Sequence, residues 1–195
     1  PRLTGESRLR AIAKAREDRI AHLRQSESFA VSLARATVES HVRTCRVDPA
    51  PADVPPELSK PAGVFVSIHK EGMLRGCIGT TEPTCDRAAD EIVSNAVSAA
   101  SRDPRFEPIT PDELALLDYS VDVLSDSEPV ESEDDLDPKV YGVIVQKGGR
   151  RGLLLPDLPG VDTAKEQVRI AKRKAGIGAF EKDVRLFRFT VTRYH

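Results

Sequence analysis

A chain of 195 residues with 39% hydrophobic and 31% charged side chains has apolar material for a core and too much of it for wholesale disorder. With 29 basic against 31 acidic residues the formal net charge is -2, and with no Trp and 5% aromatics there are few platforms on which bases could stack, so nucleic acid is an improbable partner. No segment is long and apolar enough to span a membrane, and three cysteines without a recognisable signal peptide predict free thiols in a reducing cytoplasm.

In chain order, residues 1–25 join Arg2, Arg8, Arg10, Lys14, Arg16, Arg19 and Arg24 to Leu9, Ile12, Ile20 and Leu23 at near-helical spacing, which predicts a basic amphipathic helix. A core-facing helix follows over 28–44, where Ala30, Leu33, Ala34, Thr37, Val38 and His41 recur at three and four. Pro49, Pro51, Pro55, Pro56 and Pro61 deny helix and central strand to the connector after it. Residues 63–69 alternate as a strand, Lys70-Glu71-Gly72 turns the chain, and 73–80 returns as its partner. The small-residue stripe Ala88, Ala89, Ile92, Val93, Ala96, Val97 and Ala100 predicts a closely packed helix over 84–102. Thr110-Pro111-Asp112-Glu113 is a capping box opening a short helix to about Leu117, before a strand over 119–124. The acidic stretch 126–137 reads as a solvated loop. A second hairpin pairs 140–146 with 151–155 through Lys147-Gly148-Gly149-Arg150. A helix capped at Thr163 runs to Gly176, and 183–193 alternates as one final strand. Six strands and four or five helices without βαβ repetition make the fold α+β, with helices packed on a mixed, largely antiparallel sheet.

Common nucleotide, dinucleotide, serine-hydrolase and zinc-protease motifs are absent, and Cys45, Cys77 and Cys85 lack ligand spacing, so no metal or cofactor is expected. One dense segment remains, Leu74-Arg75-Gly76-Cys77-Ile78-Gly79. On a regular strand Arg75, Cys77 and Gly79 share a face, and a guanidinium beside a thiol favours the thiolate, which makes Cys77 the candidate nucleophile or redox centre. A packed, inert Cys77 is the competing reading. Arg75 is either an ion-pair partner or an anion clamp, and Gly76 and Gly79 leave room for a ligand or for another backbone. Lys147-Gly148-Gly149-Arg150-Arg151 is a second candidate anion site or else a solvated hairpin tip. In Arg102-Asp103-Pro104-Arg105-Phe106 the alternatives are an anion-binding Arg105 and an Asp103–arginine pair with Phe106 in the core. His69, before the turn, is a candidate base.

The segment Leu74–Gly79 resembles the LRGCIG signature of the AMMECR domain. The likeness extends to Ser101–Phe106 and to Lys147–Pro156, and covers about Phe29 to Tyr194; Asp162–Gly176 is similar to the bacterial members named AmmeMemoRadiSam system protein A. This resemblance implies two unequal subdomains with a cleft near the signature, and leaves residues 1–25 as a basic helical extension ahead of a domain over 26–195, which is expected to fold without it. It also implies a pathway shared with a Memo-type protein and a radical-SAM enzyme. Two functions stay open: a ligand-handling or catalytic component in which Arg75, Cys77, Arg105 and Arg150, with Arg151 beside it, hold a small anionic ligand, and a non-catalytic docking module for those partners.

Overall fold

The computed structural model describes residues 5–195, so positions 1–4 of the predicted N-terminal helix lie outside it. In chain order the elements are α1 (Gly5–Gln25), α2 (Phe29–Thr44), β1 (Val64–Lys70), β2 (Met73–Gly79), α3 (Ala88–Ser101), β3 (Leu117–Leu124), β4 (Glu128–Val130), β5 (Gly142–Lys147), β6 (Arg150–Leu154), α4 (Ala164–Lys174), β7 (Arg185–Phe189) and β8 (Val191–Tyr194), with short 3-10 turns at Pro56–Leu58, Pro111–Leu116 and Glu133–Asp135. The class is α+β, as the sequence predicts, with two four-stranded sheets rather than one. Two compact units divide the chain: residues up to Val123 together with Arg193–His195, and Leu124–Thr192.

The first unit is built on the sheet β2-β1-β3-β8. Strand β1 alternates because Val64, Val66 and Ile68 are fully buried while Phe65, Ser67 and His69 face the other way. Onto the buried side pack α2, through Ala30, Val31, Ala34 and Val38, and α3, through Ala89, Ile92, Ala96 and Ala100. The small residues of α3 let its backbone approach the sheet. Ser28 caps α2, its hydroxyl accepting from Val31 N, and Cys45 closes the helix in the left-handed region at φ 57°. Helix α3 begins at Ala88, where its apolar stripe starts, and not at the expected 84, because buried Glu91 draws the preceding loop onto itself. Its carboxylate accepts from the Thr80 hydroxyl (2.7 Å), from the Thr84 hydroxyl and amide (both 2.9 Å) and from the Cys85 amide (2.9 Å). Helix α1 touches the unit by one apolar side chain, Ile20, at 4% exposure, while Leu9, Ile12 and Leu23 stay exposed. Arg24 donates to the Leu114 carbonyl (2.8 Å) and pairs with Glu39 (3.2 Å).

The second unit carries the sheet β4-β7-β5-β6 with α4 against it, and Val143, Val145, Leu154, Val168 and Ala171 form its core. Two sequence expectations are corrected here. The acidic stretch is largely exposed, as expected, but it is not all loop. Glu128 lies opposite Arg188 in the β4–β7 pairing and binds its Nε at 2.6 Å, while Ser132 and Asp135 cap the turn Glu133–Asp135. Nor is 183–193 a single strand: it breaks at Thr190, which exchanges hydrogen bonds with Ser125 (both 3.0 Å), so β7 and β8 enter different sheets.

Candidate functional site

The hairpin β1–β2 is not regular. Lys70 faces Met73 and His69 faces Leu74, but Ile68 faces Gly76, so Arg75 is the extra residue of a bulge. That single insertion sets the chemistry of the segment. It separates Arg75 from the alternation expected to bring it beside Cys77, and it places Ser67 opposite Cys77. The Ser67 hydroxyl donates to Cys77 Sγ at 3.2 Å. Across the sheet Ser67 also faces Ser120, and His69 faces Asp118, their Nδ1 and Oδ1 atoms 3.8 Å apart.

Arg75 is fully engaged as a structural ion-pair partner. Its Nε and one terminal nitrogen make a fork onto the two Glu113 oxygens (3.0 and 2.9 Å), and its remaining bonds go to the carbonyls of Glu107 (2.8 Å) and Pro108 (3.4 Å). Glu113 also accepts from Lys70 Nζ (2.9 Å) and the Thr110 amide (3.1 Å). Arg75, then Lys70 and the Thr110 amide, hold the Glu113 carboxyl at about 2 against the opposing effect of its burial. The capping box read from the sequence is real, but its acid does more than cap.

The cation beside Cys77 is Arg105. Asp103, 4% exposed, is the hub: Oδ2 accepts from the Cys77 amide (2.9 Å) and from Arg105 Nη2 (2.7 Å), and Oδ1 accepts from Arg105 Nε (2.9 Å) and its amide (3.1 Å). Hydrogen bonding from Arg105 holds the Asp103 carboxyl far below the usual carboxylate range although burial opposes it. The same bond raises Arg105 above its ordinary value, with Cys77 acting in the same direction. Arg105 Nη2 further donates to the Cys77 carbonyl (3.1 Å), and its guanidinium stacks on Phe106, 5.4 Å from the ring centre. Among the described residues Nη1 has no hydrogen-bond partner, and the side chain is 54% exposed. A thiol and a fixed, half-exposed guanidinium therefore stand together, with an edge turned to solvent.

Both glycines of the segment are filled by protein. A Cβ at Gly76 would overlap the Ala99 carbonyl oxygen of α3, and one at Gly79 would overlap the Phe65 ring. Close approach of another backbone, not of a ligand, is what Gly76 supplies. Arg150 and Arg151 lie in the second unit. Arg150 forks onto Glu181 (2.9 and 2.7 Å) and donates to the Gly176 carbonyl (2.8 Å), tying down a loop. Arg151, on β6, is exposed. Cys85 is half-buried, and its thiol is pushed up by burial first and by Glu91, while Cys45 is exposed. Among the described residues no group of three or more His, Cys, Asp or Glu is placed to hold a metal, and no helix is long and apolar enough to cross a membrane.

Sequence reasoning did not single out Ser67, and it read Glu113 only as a helix cap. Counting back from the turn in a regular hairpin places Ser67 opposite Gly76, and only the bulge corrects that register by one.

The AMMECR1 family model matches residues 31–194. A protein of Thermotoga maritima is 55% identical over 166 residues, which span 84% of this chain and 95% of that one. A protein of Clostridium acetobutylicum is 43% identical over 190 residues, 96% of this chain but 40% of that longer protein. The crystal structure of an uncharacterised protein from Pyrococcus horikoshii superposes with a TM-score of 0.77 at 31% identity, covering 85% of this chain and 88% of that one.

Proposed function

The chain belongs to the AMMECR1 family, and from that premise and the geometry around Cys77 we propose that it handles a small anionic ligand at the Cys77–Arg105 corner. One observation carries the reading. A single buried carboxylate, Asp103, fixes both the Cys77 backbone and the Arg105 guanidinium, leaving a cation edge free beside a thiol. Arg105 is the anion-binding group and Cys77 the nucleophile or redox centre. Arg75, Gly76 and Gly79 form the frame that sets Cys77 opposite Ser67, and Arg150 and Arg151 belong to the second unit. The pathway partners are a Memo-type protein and a radical-SAM enzyme, in line with the family resemblance of the signature. A docking or adaptor role is the second reading, favoured by the Clostridium relative, in which the matching region is less than half of a longer protein.

Paired alkylating agents test the first reading. Iodoacetate is anionic and iodoacetamide is neutral, so the ratio of their rates at one thiol reports anion attraction independently of that thiol's intrinsic reactivity. The ratio at Cys77 is expected to exceed that at exposed Cys45 severalfold, to fall to the Cys45 value in Arg105→Gln, and to persist in Arg105→Lys. Equal ratios at the two cysteines, or a Cys77 that resists both reagents in the native protein, would sink it.

A further inference from the structure

We infer that the loop over 175–182 in the second unit is a docking surface for an acidic protein segment carrying an apolar side chain. Phe180 is 99% exposed, the highest value for any large hydrophobic among the described residues. Such exposure at a loose tip means little, but this loop is fastened. Ile177 is buried at 3%, Glu181 accepts from Arg150 and from the Gly178 amide (2.8 Å), and Lys147 Nζ reaches the Lys182 carbonyl (2.6 Å) and Glu181 (3.3 Å). Lys147 and Arg150, from the hairpin read as an anion site or a solvated tip, thus fasten the loop that presents the phenyl ring to water.

Charge around the ring is one-sided. Lys172, Arg173 and Lys174 form the last turn of α4, and Lys182 ends the loop. The nearby acids Glu166 and Glu181 are paired with Arg169 and Arg150, leaving Asp183 as the counterweight on that rim. Lined by Arg169, Lys172, Arg173 and the loop residues Gly176, Ile177, Gly178 and Ala179, a hollow of about 410 Å³ adjoins the Phe180 position in the chain. An aromatic anchor next to a cation-lined recess suits a partner that offers carboxylates around an apolar residue. A single exposed ring is too little for a stacking groove, and Ala179 with Phe180 is too small an apolar tip for a membrane surface.

A random peptide library displayed on phage, panned in parallel against the full chain and its Phe180→Ala variant, tests the assignment. The substitution removes nothing buried, so an unchanged thermal melt certifies the variant. Enriched peptides are expected to place several Asp or Glu around Leu, Ile, Phe or Met. Resynthesised, they should bind the original protein about 30-fold more tightly than Phe180→Ala, and lose binding to Lys172→Glu/Arg173→Glu. Neutral or basic consensus sequences, or acidic peptides that bind both proteins equally, would overturn the proposal. So would the absence of any discriminating peptide, or Phe180-dependent binding of phosphatidylserine vesicles or a single-stranded oligonucleotide in place of peptides.

Discussion

Replacing Glu113 by Gln keeps the side chain's shape and removes the charge that Arg75 and Lys70 grip, so it isolates the clasp that ties the first hairpin to the 3-10 turn Pro111–Leu116. The folded-state carboxyl sits at about 2, below its ordinary 4.5, and the side chain is 15% exposed. Because the folded value is the lower one, the charged clasp contributes fully above about pH 4.5, and its contribution is lost as the pH falls through about 2. Linkage over that gap amounts to about 3 kcal/mol at pH 7, about 1 kcal/mol at pH 3 and nearly nothing below pH 2. The assay is urea unfolding followed by far-ultraviolet circular dichroism, for both proteins, at steps from pH 7 to pH 3. Glu113→Gln should be less stable by roughly the neutral-pH figure, and the deficit should fall to less than half by pH 3, because there the unfolded chain's Glu113 is protonated while the folded one stays charged. A deficit that stays constant across the range would refute the reasoning, because it would mean that what Gln loses is packing and not a carboxylate held low by its cations.

Two further substitutions check the packing claims. Gly76→Ala should lower stability by about 1–3 kcal/mol in the same urea assay, since the new methyl meets a helix carbonyl that cannot move alone, whereas Gly149→Ala, with open space around it, should stay within about 0.5 kcal/mol. Deleting residues 1–25 should leave a cooperatively melting domain that is weaker by about 2–3 kcal/mol, with Ile20→Ala in the full chain accounting for most of the loss; a truncated chain as stable as the original would show that the contact at Ile20 contributes nothing.

The parts legible in the sequence were those set by short-range pattern. The turn Lys70-Glu71-Gly72 announced the first hairpin, and the alanine stripe announced α3 as a close-packing helix. Where one residue's partner lies far along the chain, the pattern misled. Alternation put Arg75 with Cys77, but a bulge intervenes, and the acid that claims Arg75 stands in a distant 3-10 turn. Alternation also ran unbroken through Thr190, although a side-chain bond to Ser125 divides that run between two sheets. Phe180 carried no local signal at all, because a ring bound for solvent and one bound for a core look alike in a sequence.

The break at Thr190 bears on how this protein assembles and how it could be cut apart. Strand β3 leaves the first sheet, the chain builds the whole second unit, and β8 then returns to the edge of the sheet it left, where Arg193 pairs with Asp122 (2.7 and 2.9 Å) and the His195 carbonyl accepts from the amide of Ser28, the residue that caps α2. The second unit is thus an insert spliced into a surface loop of the first. On the ribosome it is synthesised before its host has its fourth strand, so the insert can close while the host sheet still shows an open edge at β3. A protein engineer would read the same topology as a joint: excising the insert and bridging β3 to β8 with a short turn leaves every strand of the host sheet in one chain.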